Sequence, residues 1–87
     1  MRLGAHGKAS SRSRSQGALD PLTKELLYIA VSVSNGCWYC IASHTAAARK
    51  RGMTDAMFHE LMAVIGMASE TNRLATGYQV EIDPSLR

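Results

Sequence analysis

The sequence has no apolar run of about 18 residues, so nothing in it reads as a membrane-spanning helix. Its beginning lacks the apolar core of a secretory signal, and the expected location is the cytoplasm. Alternation of apolar and polar residues over strand lengths is absent, and no segment repeats, which argues against a sheet or a solenoid. Aromatic residues are few, with one Trp, one Phe and three Tyr. Cysteine occurs only as Cys37 and Cys40. Two cysteines three apart close too small a loop to staple a domain. No second Cys/His pair stands at a distance, as a zinc ribbon needs, and His6 and His59 have no paired ligand. Neither a metal nor a cofactor is expected. Acid is missing from residues 1–18, which carry Arg2, Lys8, Arg12 and Arg14.

That last absence explains the overall charge of +3. The first 18 residues contribute +4, and the remaining six Lys/Arg against seven Asp/Glu leave −1. The basic character therefore belongs to an arm, residues 1–18, rich in Ser and Gly as well. Basic arms occur on nucleic-acid binders, but no aromatic residue interleaves these charges as stacking on single strands requires. Nucleic acid is not the expected partner; a neighbouring subunit on which the arm lies is.

What is present is helical. Of the 87 residues 46% are hydrophobic, and Ala, Leu, Met and Val supply most of them. Asp20 and Pro21 read as the cap and first position of a helix, along which Leu22, Leu26, Ile29 and Val33 form an apolar stripe. Leu27, Ala30 and Val31 make that helix apolar on other sides too, so it is expected to be largely buried. Ser34, Asn35 and Gly36 end it. A second helix starts at or near Cys37 and runs to Arg51, with Gly52 beyond it. Thr54 caps a third, whose buried face is Phe58, Leu61, Met62, Ile65 and Met67/Ala68, with a break expected near Ser69. Residues 78–87, "YQVEIDPSLR", read as an extended tail. The class is all-α, with a helical domain at 19–80 and a C-terminal tail at 81–87. A chain of this size buries only about 60–65% of the surface that its unfolded form exposes. Helices this apolar need further neighbours, so a closed oligomer is expected.

The chemistry sits in "NGCWYCIASH", residues 35–44. On a helix starting at Cys37, residues 37, 40 and 44 are spaced i, i+3, i+7 and share a face. Cys37 lies where unpaired N–H groups and the helix dipole favour an anion, and a thiolate is one. A second sulfur lies within disulfide reach, and His44 is a turn away to move protons. Trp38 and Tyr39 are bulky enough to shield the sulfurs or to wall a pocket. Two inert buried thiols remain the plain alternative. Haem attachment would need His directly after the second Cys, where Ile41 stands. A thioredoxin-type motif would need a βαβ setting. Glu25 lies beside the apolar stripe. On residues alone it reads as a boundary residue with a solvated head; the alternative turns it inward against the second helix, where it needs a partner such as His44.

The run "GALDPLTKELLYIAVSVSNGCWYCIASHTAAARKRGMTD" resembles the carboxymuconolactone decarboxylase family, and within it the AhpD-like alkylhydroperoxidase branch. The likeness continues through "NRLATG" and covers roughly residues 17–80. The branch is marked by Glu, eleven residues, then CxxCxxxH. Glu25, Cys37, Cys40 and His44 match that spacing. The resemblance implies an antiparallel helical bundle that forms hexamers or trimers, and it turns Glu25 inward. It also implies a thiol peroxidase or disulfide reductase in which Cys40 attacks peroxide and Cys37 resolves, while Glu25 and His44 relay protons. The dipole, by contrast, favours Cys37 as the more acidic thiol. The implied partners are a hydroperoxide and an external dithiol such as a lipoyl group or a thioredoxin-like protein. Better-studied peroxidases of the branch carry His within the CxxC, where this chain has Tyr39; a neutral phenol does not do an imidazole's proton work. Lactone decarboxylation, the other activity of the family, needs no cysteine pair. A non-enzymatic redox-sensing oligomer is the third reading.

Overall fold

A computed structural model describes residues 17–87. Nearly all of the basic arm, His6 included, lies outside them, so its expected contact with a neighbour does too. Three helices follow one another, α1 (Pro21–Asn35), α2 (Trp38–Lys50) and α3 (Asp55–Gly77), and the described residues contain no strand. The class is all-α, as the composition and spacing led one to expect.

Each boundary has a local chemical cause. Asp20 caps α1 by accepting from the Thr23 amide at 3.2 Å, and Pro21 occupies the first helical position. The Thr23 side chain, more than its amide, holds the Asp20 carboxyl below its ordinary range. Gly36 ends the helix with φ 73°, in the left-handed region that a Cβ disfavours. Two bonds close that end: Gly36 N–H to the Val33 carbonyl at 3.3 Å and Cys37 N–H to the Ser32 carbonyl at 3.0 Å. This is the Schellman arrangement, and it satisfies carbonyls the helix leaves orphaned. The same motif ends α2 around Gly52, φ 103°, where the Met53 amide donates to the Ala48 carbonyl at 2.9 Å. Met53 and Ala48 are both buried there. Thr54 then caps α3 by accepting from the Met57 amide at 3.1 Å.

The central helix is α1, which packs against both α2 and α3. Ile29 is fully buried and forms the core with Ala48 and Met53. Leu22, Leu26, Val33, Met57, Phe58, Leu61 and Met62 pack around them. Burial of one such aliphatic side chain is worth about 1.5–3 kcal/mol. Arg49 crosses from the end of α2 to α3, pairing with Asp55 at 2.6 Å and lying over the Phe58 ring at 5.3 Å.

Four expectations are corrected here. The first helix is not largely buried: Leu27 and Val31 are more than half or about half exposed, at 59% for Val31 and 50% for Leu27, because α2 and α3 cover only one side of it. Met67, 64% exposed, and Ala68 do not join the buried face of α3. At about 34 Å, α3 outruns the roughly 22 Å of α1, and among the described residues no helix lies along its second half. No break occurs near Ser69, since α3 runs unbroken to Gly77. The tail contains a short 3₁₀ turn, Pro84–Leu86, after Asp83.

Candidate functional site

Cys37 owes its place to two helix ends at once. Its amide completes the Schellman closure of α1, and its side chain caps α2, with Sγ accepting from the Cys40 amide at 3.3 Å. Glycine at 36 thus delivers a sulfur to the positive end of a helix. Cys37 and Cys40 are joined as a disulfide, with Cα atoms 5.3 Å apart. Both are half-buried. Trp38 and Tyr39, between them, are 83% and 82% exposed. They project outward, and among the described residues they form no wall over the sulfurs.

His44 lies one turn of α2 beyond Cys40. Its Nδ1 meets the Glu25 carboxylate, at 3.2 Å from Oε1 and 3.4 Å from Oε2. The Glu25 side chain is 0% exposed and that of His44 only 13%. The solvated, boundary reading of Glu25 is therefore corrected, and the inward one holds. A carboxylate shut away from water needs such a partner, because desolvating it alone costs several kcal/mol. An ionised carboxylate only accepts, so with Glu25 ionised the contact calls for a hydrogen on Nδ1. A neutral imidazole then carries its free lone pair on Nε2.

Spacing analysis overlooked Tyr28. Its ring stacks on the His44 imidazole with centroids 4.1 Å apart and planes within 4° of parallel. The signal was available: Tyr28 is three residues after Glu25, on the same face of α1. Helix α1 therefore meets one imidazole twice, at its edge through Glu25 and at its face through Tyr28. Among the described residues no three His, Cys, Asp or Glu side chains converge as a metal site. No described helix is long and apolar enough to cross a membrane.

A model of the carboxymuconolactone decarboxylase family matches residues 4–80. The chain belongs to that family. This member is similar to an alkyl hydroperoxide reductase AhpD of Solibacter usitatus, 38% identical over 65 residues that make up 75% of this chain and 35% of that protein. It is also similar to the uncharacterized protein YdfG of Bacillus subtilis, 44% identical over 48 residues, or 55% of this chain and 33% of that one. The chain thus spans about a third of the length of these curated relatives. A solved structure of an alkylhydroperoxidase AhpD core from Rhodospirillum rubrum superposes with a TM-score of 0.87 at 45% identity. The match covers 97% of this chain and 62% of that one. The fold of this family member is thus the AhpD-like helical bundle.

Proposed function

We propose that this protein reduces hydroperoxides through the Cys37–Cys40 pair, in a cycle completed by an external dithiol. The observation that carries the reading is a disulfide at the start of α2, one turn from a buried His44–Glu25 pair. The relatives named for alkyl hydroperoxide reduction support it.

The Cys40 thiolate attacks the terminal oxygen of the hydroperoxide. The O–O bond breaks, Cys40 becomes a sulfenic acid, and the alkoxide leaves as alcohol after taking a proton. His44 supplies and recovers protons, with Glu25 balancing the charge on its ring. The Cys37 thiolate then attacks the sulfenic sulfur; the disulfide forms and water is lost. An external dithiol, a lipoyl group or a thioredoxin-like protein, returns two electrons and two protons and becomes a disulfide itself. The N-cap geometry suits Cys37 to resolving and leaving, since a sulfur held by an amide at a helix start departs readily as thiolate. Both the dipole and the family assignment are thereby accommodated. Tyr39 supplies no imidazole, so proton transfer rests on His44. The dithiol dependence fits a reducing cytoplasm. A homo-hexamer, or failing that a trimer, would cover the exposed apolar side of α1.

The test is consumption of an organic hydroperoxide with dihydrolipoamide as reductant. Wild type turns over and Cys40→Ser does not. Cys37→Ser consumes one equivalent and stops as a sulfenic acid that a dimedone probe captures. The reverse pattern in the two variants would make Cys37 the nucleophile. If peroxide leaves both wild-type thiols open to alkylation, the reading is wrong. Loss of carbon dioxide from a lactone acid would support decarboxylation in its place.

A further inference from the structure

We propose that Tyr28 is the positioning residue for the His44 imidazole, fixing the plane in which His44 exchanges protons while Glu25 fixes the edge. The proposal rests on the reading of His44 as the proton-transfer group of the peroxide cycle. Its basis is the geometry of two contacts made from one turn of one helix.

The first contact is a pivot. Glu25 meets His44 at Nδ1, with its two oxygens at 3.2 and 3.4 Å. A ring held at one edge atom can still rock about that edge. Rocking displaces the far edge most, and Nε2 is on that edge. This is the nitrogen left to take and give protons once Nδ1 faces the carboxylate. The second contact removes the rocking. A parallel ring with its centroid 4.1 Å away leaves no room for the imidazole to tilt toward it, and tilting away forfeits the stack. Stacking alone would not choose an edge, because a half-turn of the ring keeps its plane. Plane and edge are separate constraints, and α1 supplies one from Tyr28 and the other from Glu25.

Tyr28 also faces outward. It is half-buried and borders an apolar groove on the outer side of α1 with Leu19, Lys24, Leu27 and Val31. Its ring therefore separates one face of the imidazole from that groove, which fits the low exposure of the His44 side chain, 13%. An aliphatic residue at position 28 would fill space without a flat surface. The stack is made by the ring, so phenylalanine should keep it.

The experiment compares wild type, Tyr28→Phe and Tyr28→Leu in two ways. The structural readout is NMR of the oxidised protein. Wild type and Tyr28→Phe show the His44 ring protons shifted upfield by the neighbouring ring, with a single Nδ1–H tautomer in the ring-nitrogen shifts. In Tyr28→Leu the upfield shift is lost and a second tautomer or broadened lines appear. The kinetic readout is hydroperoxide turnover: Tyr28→Leu loses roughly ten- to a hundredfold in kcat with KM little changed, the size expected of a misplaced catalytic group. Tyr28→Phe restores it. Unshifted His44 protons in wild type overturn the proposal without any variant, which covers a Tyr28→Leu that fails to fold. So does a Tyr28→Leu with wild-type ring shifts and tautomer, or a Tyr28→Phe that behaves like Tyr28→Leu. A wild type that shows the shifts but consumes no peroxide keeps Tyr28 as the residue that orients His44 and rejects the peroxidase reading.

Discussion

Glu25 shows how much one side chain decides. It sits on a helix whose inward residues are mostly apolar, with Ser32 the other buried polar residue on it, and it has no exposed surface. Its partner is 19 residues away on α2, so no local rule provides for it. Removing the carboxylate leaves the Nδ1–H of His44 buried without an acceptor. Glu25→Ala is therefore expected to lower the unfolding free energy by about 1–3 kcal/mol, the cost of an unsatisfied buried donor. Glu25→Gln keeps an acceptor and most of the volume but not the charge. It should fold close to wild type and reduce peroxide at least tenfold more slowly, since positioned acid–base groups typically contribute about 10²–10⁴-fold. Equilibrium denaturation and turnover, measured side by side, separate the two effects. Wild-type turnover in Glu25→Gln would remove Glu25 from the chemistry and leave it a structural residue.

Among the elements, the junction between α1 and α2 matters most. Only Gly36 and Cys37 separate the two helices, and both are committed: one to positive φ, the other to a double capping role. A Cβ at position 36 would meet no atom within 4 Å, so Gly36→Ala introduces backbone strain without a clash. The expected loss is about 1–2 kcal/mol, the cost of the left-handed conformation for an L-residue. Gly36→Asn should lose less, because asparagine tolerates that region better. Chemical denaturation ranks the three proteins. Equal stability for Gly36→Ala would mean that the turn relaxes to another conformation, and the disulfide would then no longer be held by this cap.

For the whole molecule, the described residues leave substantial apolar surface on the outside. Leu19, Leu27 and Val31 line an open apolar groove with Tyr28, and the far half of α3 exposes Met67 and Leu74. Exposed apolar patches of this kind mark interaction sites. The proposed hexamer would bury it in an interface on the order of 2,000 Å² or more, the size typical of obligate assemblies. Val31→Glu discriminates well. As a surface change in a monomer it should alter stability by no more than about 0.5 kcal/mol. Placed in an apolar interface, the unpaired carboxylate should split the assembly, visible by light scattering at micromolar protein. A wild type that is monomeric at that concentration would refute the oligomer outright.

The contrast between these scales follows from the range of the forces involved. Asp20, Gly36, Gly52 and Thr54 act on amides and carbonyls a few residues away, so helix ends were legible from the order of residues alone. The same holds for Cys37, Cys40 and His44, which one helix lines up by its own periodicity. Glu25 was legible only through a spacing shared with a known family; its residue environment pointed the other way. Tyr28 went unnoticed because its i, i+3 relation to Glu25 shows a shared face of α1 but not the ring on α2 that it meets. Met67 and Ala68 misled because apolar periodicity reports a face that will be covered, not what covers it. Local chemistry along the chain determined the three described α-helices and a cysteine pair at the start of the second. The packing of α1 on α2 decided that a carboxylate and an aromatic ring would close on one imidazole, because contacts between helices depend on crossing geometry and on which surfaces lose water together.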